Sequence, residues 1–476
     1  MNSKKEYIVN TITLLIGKFS TQFVSFLLIP LYTRFLIASD YGFIDLIQTY
    51  ITLFVPIFTL KLDSATFRFL IDCRKDDKEK ERNEIVTNVL AIIFFLTIIV
   101  LVGMFLLRRI IKINYYGVVC CNIFVLMISN ILLQFLRGLG KNKHYSISTV
   151  LMSLATLISN FVLIIVFKFN ASSILISSTI ANVIGIIYIS IILRLHQFID
   201  VKLINKKKIK DLLFYSLPMI PNQLSWWIVN ISDRTIITHF INTAANAVYT
   251  VSCKFSNIVN TVFAIFSTSW QETASLHIND KNREEFLSDM MNSIFILFAS
   301  FSIIMMVMIP FVFDLMVGES YRVGFNYIPI LLLGNIFNIL VSLLGGVYIA
   351  LKMVKQVANT TIISAILNIL INLLLIKKFG LYAASVSTLI AYLIMAIYRY
   401  IDIKKYLKIK LNFKKILVFF IAFFISSALY FVNNLYANIL NLLFVIAFCI
   451  ILNKSFLITA FYKVKNKFLK NQKGRN

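Results

Sequence analysis

Residues 8–32, IVNTITLLIGKFSTQFVSFLLIPLY, form an apolar run that holds a single charge, Lys18. A helix rises about 1.5 Å per residue, so a run of this length crosses a hydrocarbon core about 30 Å thick. At 100° per residue, Thr11, Lys18, Gln22 and Ser25 fall on one stripe about 60° wide, and the rest of the rod is apolar. An ammonium at the centre of a lipid-facing helix costs about 2.5–3.5 kcal/mol on translocon scales. Lys18 and Gln22 are therefore expected to face a bundle interior or a wet cavity, which makes this run one helix of a larger membrane-embedded bundle.

Thirteen more apolar runs follow, at 41–60, 85–107, 117–137, 145–168, 172–194, 212–238, 246–271, 288–313, 328–351, 357–376, 381–400, 416–432 and 436–458. The expected fold is all-α, a polytopic membrane protein of about 14 transmembrane helices that leaves no stretch for a soluble domain. Composition agrees, with 59% hydrophobic and 14% charged residues against about 45–50% and 25% in ordinary soluble chains. The formal charge of +26 is scattered between apolar runs. Nucleic-acid binding needs basic residues gathered on one folded surface, so no nucleic-acid partner is expected. With the N-terminus cytoplasmic, most Lys and Arg fall in cytoplasmic loops, which places both termini on that side. The basic loops Arg74–Arg82, Lys202–Lys210 and Lys404–Lys415 and the tail Lys463–Arg475 can meet anionic membrane lipids at about 1 kcal/mol per charge. Lys4 and Lys5 precede the first run and no small-residue cleavage site follows, the pattern of a retained first helix. The five cysteines lack the spacing of a disulfide framework and are expected as free thiols.

Sliding the chain on itself by about 205–212 residues reveals a duplication. Phe35–Gly42 then lies beside Phe240–Ala247, Asn160 beside Asn372, and Ser178-Thr179 beside Ser387-Thr388. Each repeat holds six helices, residues 1–200 and 201–410, and an even number keeps the two lobes parallel, as in transporters whose substrate site lies between lobes. Residues 411–476, two helices and a basic tail, fall outside the repeat as an accessory. The seventh run carries Gln223, Trp227, Asn230 and Arg234 on one stripe, and the first three are the positions that Lys18, Gln22 and Ser25 reach on adding 205. The eighth carries Thr250, Lys254, Asn257, Thr261 and Thr268, the first four mapping back onto Asp45, Thr49, Thr52 and Pro56. Four helices thus present polar stripes at repeat-related positions. A lining of cations, amides and aromatic rings suits an anionic, hydroxyl-rich ligand. Thr52, Thr261 and Thr268 are read instead as bonds between helices. Pro218 and Pro221 stand where the seventh helix either starts or hinges, and Gly345-Gly346 either loosens the tenth or permits close packing.

No G-x-x-x-x-G-K-[ST] loop is present, which excludes nucleotide hydrolysis by that route. His144, His196, His239 and His277 are far apart and lack metal-ligand spacing, so no metal site is expected. No Ser/His/Asp or paired-carboxylate constellation emerges, and the longest external loop, about Asp314–Tyr327, is too short for a large catalytic surface. The chain reads as a transporter without a cofactor, not as an enzyme.

Degenerate motifs recur in a fixed order over residues 8–400: Pro30-Leu31-Tyr32-Thr33-Arg34-Phe35-Leu36 leading to Asp40-Tyr41-Gly42, then Arg137-Gly138 with Lys141, Asn142 and Lys143. Leu217-Pro218 through Ser232-Asp233-Arg234, Ala247-Val248-Tyr249 before Lys254, and the stretch from Asn372 to Tyr398 complete the series. Through them the chain resembles the Wzx-type polysaccharide flippases of the multidrug/oligosaccharidyl-lipid/polysaccharide exporter superfamily. The resemblance implies two six-helix lobes around a cavity that opens alternately inward and outward. It implies a flippase that moves an undecaprenyl-diphosphate-linked oligosaccharide from the cytoplasmic to the outer face of a bacterial plasma membrane, for a capsule, an O-antigen or another surface polymer. The implied partners are that glycan, the membrane lipids and other polysaccharide assembly proteins.

On this reading Lys18, Arg234 and Lys254 attract diphosphate, Gln22 lines the same cavity, and Trp226, Trp227, Asn230 and Asn257 contact sugars. Related lipid II flippases place cavity arginines on the first, second and eighth helices. Here Lys18 and Lys254 stand on comparable helices and offer a point charge in place of a fork. Arg34 and Arg68 are fallback anion sites. Asp45, Asp233 and Glu272 are candidates for coupling to H+ or Na+, and a flippase driven by consumption of its product is equally allowed. Three other readings stand beside this one: a multidrug exporter of the same superfamily, whose cavity would favour acids, a membrane polysaccharide polymerase or ligase, which would need a larger external loop, and a lipid II flippase proper, whose cavity chemistry would be shared.

Overall fold

A computed structural model describes residues 17, 19–75, 79–109, 114–454 and 458. Helical residues 19–27 lead into α1 (Ile29–Phe35), α2 (Ala38–Phe58), α3 (Leu62–Lys75), α4 (Glu79–Leu107), α5 (Tyr116–Gly138), α6 (Asn142–Phe161), α7 (Ser172–Leu193) and α8 (Lys206–Ser216). Then come α9 (Ile220–Phe240), α10 (Thr243–His277), α11 (Arg283–Met316), α12 (Ile328–Ala350), α13 (Val354–Phe379), α14 (Leu381–Ile403), α15 (Phe413–Val432) and α16 (Leu435–Leu452). Among the described residues there is no β-strand. Eleven helical stretches among the described residues are long and apolar enough to cross a membrane. The seventh and eighth runs of the sequence, now α9 and α10, are not among the eleven, because their polar stripes dilute their apolar surface. Helix α4 turns Phe94 (71% exposed) and Phe105 (72%) outward. Such a surface is unfavourable against water and ordinary against hydrocarbon, so the chain is an all-α polytopic membrane protein.

The seventh run begins later than the sequence suggested. Residues 206–216 form the separate helix α8, a 3-10 turn covers Leu217–Met219, and α9 starts at Ile220. Pro218 and Pro221 sit in the first turns of the last two, where a missing backbone donor would have been unpaired in any case. The proline pair therefore marks helix starts. Gly345 and Gly346 serve packing: α12 runs through them without a break. A Cβ on Gly345 would stand 2.8 Å from Arg399 Nη1, and one on Gly346 would stand 2.5 Å from Trp270 Nε1.

Two compact units share the chain, one holding the described residues up to Val251 with Gly318–Tyr321, the other holding Ser252–Val317 and the residues from Arg322 onward. In the first unit α7 packs on both α5 and α6, α9 packs on α2, and α3 packs on α4, α5 and α8. In the second, α14 packs on both α12 and α13, while α15 and α16 pack on α11 and on each other. The α5–α6–α7 grouping thus returns as α12–α13–α14.

A pair of asparagine clasps repeats in the same way. Asn88 Nδ2 donates to the Leu203 carbonyl at 2.9 Å, and the Asn205 amide donates back to Asn88 Oδ1 at 2.9 Å. In the second unit Asn292 Nδ2 donates to the Lys410 carbonyl at 2.8 Å, and the Asn412 amide donates to Asn292 Oδ1 at 2.8 Å. Each clasp holds the segment after the last helix of its repeat against a helix near the start of that repeat's bundle. Asn88→Ala leaves two backbone groups without partners at about 1–3 kcal/mol each. Amide hydrogen exchange is expected to quicken over residues 199–206 in that variant and over 408–413 only in Asn292→Ala. Unchanged exchange in both would mean that the segments are held by other contacts.

Candidate substrate site

The polar stripes of α2, α9 and the first turns of α10 meet inside the first unit. Asp45 and Thr49 lie one turn apart on α2, as do Asn246 and Thr250 on α10, while Trp227 and Arg234 lie two turns apart on α9, so each pair shares a face of its helix. Arg234 Nη1 donates to Asp45 Oδ1 at 3.2 Å and to Thr49 Oγ1 at 3.0 Å. The other carboxylate oxygen, Oδ2, accepts from Thr250 Oγ1 at 2.7 Å and from Asn246 Nδ2 at 3.3 Å. Asp45 is thus enclosed, its side chain 8% exposed, while Arg234 is 23% exposed. Trp227 Nε1 donates to the Thr49 carbonyl at 3.0 Å, and the Trp227 ring lies 6.0 Å from that of Tyr50. Asp233, on a different face of α9, accepts from the Tyr249 hydroxyl at 2.9 Å.

Gly42 makes this meeting possible. A Cβ there would lie deep inside the Thr243 carbonyl and 3.0 Å from the Ala247 nitrogen, so α2 and the start of α10 approach backbone to backbone. Asn246 Nδ2 seals the crossing by donating to the Gly42 carbonyl at 2.9 Å. Gly42 and Ala247 are repeat-related, as are Asp45 and Thr250. At this crossing each position touches its own duplicate.

The other expected site residues distribute as follows. Lys18 and the side chains of Trp226 and Asn230 lie outside the described residues. Gln22 is half-buried, and Arg34 is exposed at the end of α1. Arg68 is exposed on α3 and pairs with Asp72 at 2.7 Å. Lys254, Asn257 and Glu272 belong to the second unit, with Lys254 half-buried and the other two exposed. There Asn260 Nδ2 reaches Asn257 Oδ1 at 3.5 Å and Asn335 Oδ1 at 2.8 Å, and Asn335 Nδ2 donates to the Ser256 carbonyl at 2.8 Å, which binds α10 to α12. Thr52 and Thr261 donate to carbonyls of their own helices and do not bridge to neighbours. Among the described residues no group of three or more His, Cys, Asp or Glu could hold a metal ion.

One charged residue of the membrane region was passed over in the sequence. Arg399 on α14 is 3% exposed. Its Nε donates to Thr360 Oγ1 at 2.9 Å, Nη1 to the Val341 carbonyl at 2.9 Å, and Nη2 to Thr361 Oγ1 at 3.1 Å and the Val357 carbonyl at 3.2 Å. One guanidinium thereby ties α14 to α12 and α13. One turn on, Asp402 accepts from the Tyr348 hydroxyl at 2.8 Å and pairs with Lys405 at 3.0 Å, which holds the Lys405 ammonium above its usual pKa. Arg399 stands one residue inside the end of the run 381–400, and that place inside an apolar run was the available signal.

The described residues thus form a polytopic helical bundle that holds an Asp–Arg pair between membrane helices of the first unit. A family model described as polysaccharide biosynthesis protein matches residues 8–271, more than half of the chain, and the chain belongs to that family. A model described as MatE matches residues 218–374. No curated protein matches the chain. Among solved structures, a lipid II flippase MurJ in an inward closed conformation is similar with a TM-score of 0.69 at 15% identity, covering 95% of this chain and 100% of its own. A multidrug/oligosaccharidyl-lipid/polysaccharide exporter superfamily transporter from Pyrococcus furiosus gives a TM-score of 0.60 at 14% identity, covering 84% of this chain and 94% of its own. A Vibrio cholerae MATE transporter, VcmN, gives 0.61 at 13% identity, covering 84% and 96%. At such identities the likeness is one of fold. The chain thus joins membership of the polysaccharide biosynthesis family to a fold that solved membrane transporters share.

Proposed function

We propose that this protein is a flippase that carries an undecaprenyl-diphosphate-linked oligosaccharide from the cytoplasmic to the outer face of a bacterial plasma membrane by alternating access. Fourteen spans form two six-helix lobes, residues 1–200 and 201–410, with residues 411–476 as an accessory pair and tail, and both termini are cytoplasmic. The observation that carries the reading is Arg234, a membrane-embedded guanidinium with one flank on Asp45 and Thr49, inside the region that matches the polysaccharide family. The reach of the lipid II flippase likeness into the accessory helices, 95% of the chain against 84% for the two other transporters, supports the fourteen-span form.

Asp45 acts as an exchangeable counterion. It holds Arg234 until a diphosphate arrives, and the doubly ionised ligand then takes the fork while Thr250 and Asn246 keep the carboxylate bonded. Lys18, Gln22, Trp226, Trp227 and Asn230 are the further substrate contacts of the first unit and Lys254 and Asn257 those of the second, with Arg34 and Arg68 as outlying anion contacts and Asp45, Asp233 and Glu272 as the places where H+ or Na+ could couple.

Depletion of the protein in its host, with lipid-linked oligosaccharide assayed on each membrane face, tests the reading. Accumulation on the cytoplasmic face with loss of surface polymer is expected, restored by wild type and not by Asp45→Leu combined with Arg234→Met. The MatE match favours one second reading, a multidrug exporter. Unchanged glycan with heightened sensitivity to cationic drugs would decide for that alternative.

A further inference from the structure

A cavity of about 250 Å³ lies wholly within the second unit, at the end of α11 and the turn between α15 and α16. Its wall is apolar and fixed. The Phe325 ring stacks on Tyr430 at 4.1 Å and 9°, the Tyr430 hydroxyl donates to the Phe325 carbonyl at 3.0 Å, and Phe313 meets Phe325 edge-on at 5.3 Å. Its rim is polar, made by Asp314, Arg322, Asn326 and Asn433. Asp314 and Arg322 stand 3.6 Å apart with side chains 68% and 58% exposed, a separation at which an ion pair in water holds its partners weakly. Asn433 has a left-handed φ of 45°, and the next residue, Asn434, caps α16 by accepting from the Ala437 amide at 2.8 Å, which fixes the turn that presents it.

The donor set is specific in kind. A carboxylate accepts, a guanidinium donates, and two amides do both, around a small apolar wall. A pyranose ring has the matching pattern, hydroxyls around its edge and a C–H face. A lipid chain would meet too polar a rim, a cationic drug would meet Arg322, and the volume is below the 300–1,000 Å³ usual for drug-sized ligands. On the topology set by the loop charges, this end of α11 faces the outer side.

We propose that this cavity is a monosaccharide subsite at the outer face, which takes one ring of the exported glycan as it leaves the protein. The proposal rests on the flippase reading for the identity of the glycan, but its own observations are separate from the Arg234 cluster. The test is saturation-transfer NMR on the full chain in detergent, with the oligosaccharide freed by mild acid from the lipid-linked pool of the producing cell. The variant is Asn326→Leu with Asn433→Gly, since glycine keeps the left-handed turn while removing the amide. Wild type should show transfer to one ring, and the double variant should bind about tenfold more weakly at an unchanged unfolding temperature. Absent transfer in wild type, or equal transfer in wild type and the double variant, would overturn the subsite. If depletion leaves the glycan evenly distributed while transfer is still lost in the variant, the flippase reading fails and the sugar site stands. If the glycan accumulates inside while transfer is equal, the subsite alone fails.

Discussion

Asp45→Leu and Arg234→Met, made singly, are each expected to cripple assembly of the protein in the membrane, whereas the two together restore assembly without restoring export. Asp45→Leu takes the carboxylate from Arg234, and Arg234→Met takes the guanidinium from the enclosed Asp45. Breaking a buried pair in this way costs about 3–5 kcal/mol, more than a hundredfold in the folded population. Arg234→Met also leaves Asp45 with only the neutral donors Thr250 and Asn246. The double change removes both charges, and replacing a buried ion pair by apolar side chains of similar size is often neutral or stabilising by about 1–4 kcal/mol. Yield and unfolding temperature of the purified protein should therefore recover. Export should not recover, since nothing at position 234 can then hold a diphosphate. The split between the two readouts is the test: a double variant that assembles and still supplies surface polymer would remove Arg234 from the transport mechanism. Arg234→Lys gives a finer view. It keeps the charge and the pair with Asp45 but loses the fork that also reaches Thr49, so assembly should hold while export falls about tenfold or more.

The pairing of Asp45 with Arg234 shows where sequence reading stops. Both residues stood out, because an ionisable group in a run of apolar residues is expensive and must face something other than lipid. Periodicity also placed Arg234 on a stripe with Trp227 and Gln223. It could not say which helix that stripe meets, so acid and base were given separate roles where the structure bonds them. The 205-residue shift came nearer, since it set Asp45 opposite Thr250 as duplicates, and those two turn out to be hydrogen-bonded. Helix identity over most of the chain was legible because about twenty apolar residues admit few other forms in a bilayer. The break before α9 was blurred because the apolar residues of α8, Leu212 to Tyr215, run straight into it, and the proline pair was the only mark of the boundary. Asn88 and Asn292 escaped notice for the opposite reason: a polar residue near the end of a membrane helix needs no partner to be explained. Only the structure shows that both grip the chain in the same way.

Gly42→Ala should be among the most damaging single-carbon changes in the protein, and Gly103→Ala among the mildest. A Cβ on Gly42 would overlap the Thr243 carbonyl, a backbone atom that cannot swing aside as a side chain does. The α2 and α10 backbones would have to part before the added methyl reached ordinary contact. That displacement falls where Asn246 holds the Gly42 carbonyl at 2.9 Å and Thr250 holds Asp45 at 2.7 Å, so both bonds break. Overpacking alone costs about 1–3 kcal/mol, and each buried group left without a partner adds about 1–3 more. Asp45 is among those groups, so the carboxylate that restrains Arg234 loses its neutral donors, and export should fall with stability. Gly103 sits in α4 with nothing within 4 Å of a built Cβ. Alanine there removes the helix penalty of glycine, about 0.8–1.0 kcal/mol, without any collision. Thermal unfolding of the two variants beside wild type should show a large drop for Gly42→Ala and none for Gly103→Ala. Equal unfolding temperatures for all three proteins would mean that α2 and α10 can separate freely at their crossing, and the Asp45 cluster could not then depend on their close approach.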